Sequence, residues 1–317
     1  MNQTLMQIHR YKNSLPLFNN SVVTVGSFDG VHLGHQAIIN AMVSMADTTG
    51  YDSVLVTFNP HPRLVLHQND EPLLVLQTES EKEKIIAQTG IHHLVSIPFT
   101  HDFANQSAIE YINNFLINDL GMKVIIVGYD HTFGKNKTGN ISTLLAENNN
   151  RYKVIQIEKQ QSRSIDVSST KIRNALLTGD LITAKSLLGR HYSIEGFIIQ
   201  GNQIGRTLGY ATANVAVDFN KKVVPKDGVY LVKIIESNFS NVPLWGMCNI
   251  GKRPTVAGLE QRLEVHIFDF DATIYDAWMQ VVFIERLRDE VKFESIAYLQ
   301  QQLQNDEATC RIKIANQ

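Results

Sequence analysis

Residues 26–36 read GSFDGVHLGHQ. They follow an apolar run with Val22, Val23 and Val25, turn on Gly26 and Gly30, and set His32 and His35 three positions apart where a helical pattern begins. Strand, glycine-rich turn and helix start, in that order, is where an open α/β sheet binds phosphates, because unpaired N–H groups and the positive end of the helix dipole face the ligand. The dipole alone contributes about 0.3–1 kcal/mol. Spacing of i, i+3 puts the two imidazoles on one side of the helix, suited to stabilising charge that grows on phosphorus during transfer. An isolated HxxH pair is more often surface decoration or half a metal site. The surrounding strand and turn, with Phe28 and Asp29 between the glycines, are what point to phosphate chemistry.

Outward from this stretch, strand-like and helix-like segments alternate. Residues 21–26, 53–58, 93–99, 123–128 and 152–158 are rich in β-branched residues and apolar on both faces, as in a parallel sheet covered on both sides. Helical patterns lie near 33–49, 79–89, 106–119 and 168–188. The βαβα order predicts a doubly wound α/β domain. Near Gly189 the texture changes to short alternating runs separated by Gly, Pro and Asn: YSIEGFIIQ, GVYLVKII, PLWGMCNIG, RLEVHIFDF and AWMQVVFIERL. These predict an antiparallel barrel or sandwich, closed by a polar helix near 294–310. At 317 residues two domains are expected, 1–186 and 187–317.

With 29 basic and 31 acidic residues the net charge is -2, which argues against nucleic-acid backbone binding. No apolar run reaches the ~18 residues of a membrane span, and residues 1–13 lack the apolar core of a secretory signal. Cys248 and Cys310, 62 positions apart and without a CxxC motif, allow a single disulfide but read rather as two buried or idle thiols of a cytoplasmic protein.

Three further segments belong with the first. VSSTKIR, 167–173, opens a helical run with hydroxyl residues and then projects Lys171 and Arg173. TFNPHPR, 57–63, sets His61 between prolines after a strand. VGYDHTFGKNKTG, 127–139, also leaves a strand; it misses a Walker A loop because Asn136 stands where Ser or Thr is required. In the second half, residues 195–215 pass from a strand through a glycine-rich loop to Thr212 and Asn214. Neutral oxygens of this kind suit Mg²⁺ when a nucleotide brings the charge. Within RLEVHIFDF, Leu263, Val265 and Ile267 face one way and Glu264 and His266 the other. A carboxylate beside a phosphate loop is a candidate general base, an effect typically worth about 10²–10⁴-fold.

Taken together, GSFDGVHLGH, TFNPHP, VGYDHTFG and SSTKIR resemble the adenylyltransferase module of the bifunctional bacterial riboflavin kinase/FAD synthetase family. GRTLGYATAN, PKDGVYLVKI, CNIGKRPT, LEVHIFDFDATIYD and LRDEVKFES resemble its riboflavin kinase module. The resemblance implies a doubly wound nucleotidyltransferase domain followed by an antiparallel β-barrel with a C-terminal helix. It implies that riboflavin and ATP give FMN and ADP in the second domain, and that FMN and ATP give FAD and pyrophosphate in the first, with Mg²⁺. His32 and His35 then act at the α-phosphorus, with Gly26, Phe28, Asp29, Gly34 and His61 as ATP- or flavin-binding positions. Asp130 lies near the adenosine, and Ser169, Thr170 and Arg173 hold the triphosphate. Glu264 is the base that activates the ribityl hydroxyl, and Thr212 and Asn214 bind metal and phosphate. Gly201 and Arg206 cover the nucleotide phosphates, Tyr275 lies near the nucleotide, and Arg288 and Phe293 close on the flavin. A monomer or weak homo-oligomer is expected. There are two departures from the family pattern. Asp166 stands where a basic residue is common, which would remove a phosphate contact and leaves open the alternative of a riboflavin kinase with a degenerate or differently specific adenylyltransferase domain. Ala211 replaces the Pro of Pro-Thr-Ala-Asn, which would loosen the metal-binding loop.

Overall fold

The computed structural model describes residues 5–11, 15–66, 73–200, 205, 208–255 and 258–316. By packing, the chain divides into two units, Met1–Ser169 and Thr170–Gln317.

In the first unit six strands form one sheet: β1 (Gln7–Arg10), β2 (Ser21–Val25), β3 (Asp52–Asn59), β4 (His93–Pro98), β5 (Met122–Gly128) and β6 (Lys153–Ile157). Their order is β1-β4-β3-β2-β5-β6, and every pair is parallel. Alternate residues feed two separate cores. Val22, Leu55, Leu94, Val124 and Ile126 pack with Ile39 and Met42 of helix Leu33–Thr49. Val23, Val54, Val56, Val95 and Ile125 pack with Tyr111 and Phe115 on the other face. Period-two side chains that are apolar on both faces force this two-sided cover.

Helix Leu33–Thr49 spans the expected residues and stops at Gly50, whose φ of 71° lets its N–H reach Ala46 O at 2.8 Å. The expected helix at 106–119 begins as Ala108–Glu110 and continues as π-helix over Tyr111–Asp119, turning Tyr111, Ile112, Phe115 and Leu116 into the core. β1 was not expected. Its four residues are largely exposed and polar, and only pairing with β4 makes them a strand. A small hairpin, β7 (Gln161–Ser162) and β8 (Ile165–Asp166), follows the sheet.

The expected helix at 168–188 is two, Ser169–Thr178 and Leu181–Leu188. Gly179 breaks it: its φ is 83°, and a Cβ there would stand 2.8 Å from the Arg286 side chain. Asp180 then caps the second helix through Thr183 N–H at 2.9 Å. These helices pack with the barrel, through Lys226 N–H on Leu176 O and through contacts to the last barrel strand. Thus the packing boundary falls earlier in the chain than 186/187.

The second unit is a closed antiparallel barrel of β9 (Ser193–Ile199), β10 (Ala213–Val215), β11 (Gly228–Ser237), β12 (Leu244–Thr255), β13 (Gly258–Ile267) and β14 (Trp278–Arg288). The order is β10-β13-β12-β11-β14-β9, with β9 pairing back to β10. Register shifts between β11 and β14 supply the bends that closure needs. Closure decides between barrel and sandwich. The C-terminal helix Ile296–Ala315 lays Leu303, Cys310 and Ile314 against Tyr210, Leu231 and Met247. Cys248 and Cys310 are buried, free thiols, and burial pushes the Cys310 thiol up to about 12.

Candidate active sites

β2 and β5 are neighbours, yet the chain leaves them in opposite directions, toward β3 and toward β6. Such a reversal opens a crevice beyond the carboxyl ends of the strands. Both glycine-bearing turns, 26–31 and 128–134, empty into it.

The first turn is tightly wound. Phe28, Gly30 and Val31 all have positive φ, of 48°, 89° and 37°. For a β-branched residue such as Val31 this is a strained conformation, held by its surroundings. Phe28 and Val31 are buried in the core, so Phe28 anchors the turn and lies under His35 with ring centroids 5.1 Å apart. The Asp29 carboxylate accepts Leu76 N–H at 2.8 Å, and its carbonyl accepts Ser169 Oγ at 2.9 Å. Phe28 and Asp29 are therefore placed to shape the turn.

His32 is the N-cap of helix Leu33–Thr49 and lies just outside its first turn; its Nδ1 accepts His35 N–H at 3.3 Å. In the neutral ring that bond leaves the proton on Nε2. The two imidazoles stack, with centroids 3.6 Å apart and planes 14° from parallel. Gly34 is what permits this, since a Cβ there would stand 3.2 Å from the His32 ring. The glycine of HxGH thus makes room for the cap.

Beside this turn a cavity of about 350 Å³ is lined by Gly26, Phe58, His61, Phe103, His131 and Phe133, among others. His61 accepts Arg63 N–H through Nδ1 at 3.1 Å. Asp130 is exposed at the end of β5 and does not line that cavity. Asp166 is engaged by Lys159 Nζ at 2.7 Å and by Gln161 Nε2 at 2.9 Å, and Lys159 lies over the Tyr129 ring. The position that departs from the family pattern therefore carries a carboxylate already paired with a cation. Thr170 and Arg173 follow Ser169 on the first turn of helix Ser169–Thr178, Thr170 exposed and Arg173 buried.

In the barrel, register sets Asn214 of β10 opposite Glu264 of β13, and Glu264 opposite Asn249 of β12. Cross-strand partners share a face, so the three polar side chains form one row. Asn214 and Glu264 are both buried, and Asn214 Oδ1 has no hydrogen-bond partner among the described residues. Leu263, Val265 and Ile267 are buried on the opposite face, as the alternation predicts.

Glu264, Asn249, Arg288 and Phe293 line a cavity of about 210 Å³, walled also by Leu299 and Leu303 of the C-terminal helix. Tyr275 lines a second cavity of about 180 Å³ with Asp271 and Thr273. Thr212 lines both. Gly201 and Arg206 lie outside the described residues. The preceding loop is held at Gly205, whose carbonyl accepts Tyr210 N–H at 2.8 Å. His266 Nδ1 donates to Ala211 O at 2.8 Å. That bond restrains the loop where the family's proline is missing.

The donor set fits Mg²⁺. Thr212 presents a hydroxyl at the junction of two cavities, and Asn214, two residues on, an orphaned buried oxygen, although Asn214 itself lines a separate cavity with Lys252 and Arg262. No cluster of three or more His, Cys, Asp or Glu able to hold a metal occurs among the described residues, so the anionic ligands would come from a nucleotide.

Several residues of these sites carry no signal in the sequence. Lys82 is buried under the first turn, its Nζ donating to Thr57 Oγ1 at 2.8 Å and to Ser27 O at 3.4 Å. Burial lowers its pKa, opposed by Asp29, Glu79 and Glu83. In the sequence it is one charge among several on helix Glu79–Ala87. Asp306 is likewise buried, and accepts Arg288 Nη2 at 2.7 Å and Nε at 3.0 Å. The Arg288 guanidinium is thereby tied to the C-terminal helix, which steadies the wall carrying Phe293.

Comparison with known proteins agrees with both halves. The FAD synthetase family profile matches residues 16–171, and the riboflavin kinase profile matches residues 188–314. The chain is 38% identical to the bifunctional riboflavin kinase/FMN adenylyltransferase of Buchnera aphidicola subsp. Schizaphis graminum, covering 94% of this chain and 95% of the relative. It is 36% identical to the protein of that name from Bacillus subtilis, over 90% of each. A crystal structure of a Streptococcus pneumoniae protein named a macrolide-efflux protein superposes with a TM-score of 0.86 at 33% identity, covering 96% of this chain and 98% of that one. In this chain no described helix is long and apolar enough to cross a membrane. By profile, by order of domains and by identity over nearly its whole length, the chain belongs to the bifunctional riboflavin kinase/FMN adenylyltransferase family.

Proposed function

We propose that each of the domains 1–186 and 187–317 carries one of the family's two reactions, with the residues assigned as follows. In the barrel, Glu264 takes the proton of the riboflavin 5′-hydroxyl as that oxygen attacks the γ-phosphorus of ATP, giving FMN and ADP. The cavity of Glu264, Arg288 and Phe293 takes the flavin, and the cavity of Tyr275 takes the nucleotide. The observation that carries this is Thr212, which lines both cavities; the Tyr275 cavity opens on the Val265 and Ile267 face of β13, so the γ-phosphate would reach Glu264 past Thr212. Thr212 and Asn214 would hold Mg²⁺, which when bound neutralises phosphate charge. Gly201 and Arg206 are carried over from the family motif as phosphate-loop residues.

In the first unit a phosphate oxygen of FMN attacks the α-phosphorus of ATP, forming FAD and releasing pyrophosphate. His32 and His35 supply donors to the charge that builds on the α-phosphate, and the helix start they cap adds its dipole. Ser169 contributes a hydroxyl beside the same turn, and Asp130, Thr170 and Arg173 are carried over from the motif as nucleotide residues. Gly26 and His61 face the strand-end cavity, which we assign to the flavin of FMN. The functional boundary is placed at 186/187, between the two profile matches. The two free thiols support a cytoplasmic setting.

Chromatography of the products from riboflavin, ATP and Mg²⁺ tests the assignment. The parent should yield FMN and FAD. Glu264→Ala should form no FMN yet convert supplied FMN to FAD, and His32→Ala should do the reverse. Loss of both products in either variant would refute separate sites.

A further inference from the structure

One group in the strand-end cavity has no part in the steps above. His131 follows β5, its backbone N–H donating to Gly128 O at 3.3 Å. The residue is partly exposed, but its Nε2 is shut off from solvent and has no hydrogen-bond partner among the described residues. Its ring lines the 350 Å³ cavity together with Phe58, Phe99, Phe103, Tyr111 and Phe133. Lys135 and Lys137 line the same cavity and are largely exposed, so cations accompany an otherwise aromatic pocket. Such a site suits a planar ring that carries a phosphate: aromatic walls pack against the ring and the ammonium groups meet the anion. The buried, unpaired nitrogen adds a group that a bound ring can satisfy once the imidazole turns toward the cavity, since native chains rarely leave such an atom without a partner.

We propose that His131 is a specificity-determining residue of the adenylyl-transfer unit, its ring turning on ligand binding so that the now-occluded Nε2 makes one directed hydrogen bond to the polar edge of the flavin ring. This rests on the assignment of the cavity to FMN. Desolvation lowers the imidazole to about 4, so the ring is neutral at pH 7 and meets the flavin as one N–H donor and one lone pair. A neutral side chain adds no charge to an aromatic pocket. It also rejects rings of similar size that lack a matching polar edge, because they leave the nitrogen unpaired.

The test is FAD synthesis from FMN by His131→Phe and His131→Gln. The Phe variant should raise the KM for FMN about tenfold, the scale of one lost neutral hydrogen bond, with kcat and the KM for ATP within about twofold. The Gln variant, which keeps a hydrogen-bonding group, should stay within about threefold of the parent. Quenching of FMN fluorescence gives the dissociation constant without turnover. Riboflavin phosphorylation in the same samples reports that each preparation is active. In the intact parent protein, the ¹⁵N-histidine Nε2 signal assigned to His131 by its absence from His131→Gln should shift on saturation with FMN.

An unchanged KM and dissociation constant in His131→Phe would overturn the proposal while leaving the adenylyltransferase assignment standing. So would a parent spectrum in which the His131 signal does not move. A parent that binds FMN through His131 but makes no FAD would instead overturn the assignment of the reaction.

Discussion

Removing the Asp306 carboxylate should loosen the barrel and the cavity proposed for the flavin together. Asp306 is 5% exposed and accepts Arg288 through Nε at 3.0 and 3.1 Å and Nη2 at 2.7 Å, with Gln302 Nε2 at 2.8 Å. Breaking a fully buried pair from one side costs about 3–5 kcal/mol, and an exposed one about 0–1. The Arg288 side chain is 21% exposed and so recovers part of its hydration. We expect Asp306→Ala to cost about 2–3 kcal/mol. For a unit of this size that lowers the midpoint of barrel unfolding by roughly 4–12 °C. Leu299 and Leu303 come from the helix that this pair tethers, so the KM for riboflavin should rise in the folded variant. Differential scanning calorimetry and initial-rate phosphorylation read the two effects. Replacing both partners with Leu should recover stability, because no buried charge is then left alone. An Asp306→Ala protein that melts within about 1 °C of the parent and keeps its KM would refute the reasoning.

Three further outcomes follow from the geometry. Lys82 has a pKa lowered from 10.5 by burial, so the unfolded chain holds its proton more tightly than the folded one. Burying this lysine therefore costs stability in full below the lowered value, and the cost shrinks as pH rises from there toward 10.5; in Lys82→Met, urea midpoints measured across that window should lose this pH dependence. Gly139→Ala places a Cβ 2.5 Å from the Phe133 ring, which forms a wall of the cavity proposed for FMN. It should cost about 1–3 kcal/mol and raise the KM for FMN in FAD synthesis, with calorimetry and rates as the checks. Asn214→Ala removes the orphaned buried oxygen, so the Mg²⁺ concentration for half-maximal phosphorylation should rise about tenfold in a metal titration. An unchanged requirement would remove Asn214 from the metal site.

Much of this was legible from local pattern. Strand and helix spans in the sheet, the alternation that sets Glu264 apart from Val265, and the two glycine-bearing turns all depend on neighbours one to four positions away. The outcome was less complete where contacts are distant. Gln7–Arg10 looks like loop until β4 supplies its hydrogen bonds. Helix 168–188 looks continuous until Arg286 approaches Gly179. Lys82 cannot be told from its neighbours, because Thr57 and Ser27 lie 25 and 55 positions away. Asp306 needs Arg288, and His131 needs aromatic rings gathered from three separate segments.

By itself the amino-acid sequence determined the two kinds of domain, their order and the family, because periodicity and motif spacing are written in consecutive residues. Only the tertiary structure decided that the barrel closes, that His32 caps its helix and stacks on His35, and that Asn214, Glu264 and Asn249 stand in one row. These depend on register and burial. A one-residue slip in pairing would turn every one of those side chains to the other face, and no local run of sequence specifies which partner a strand will meet.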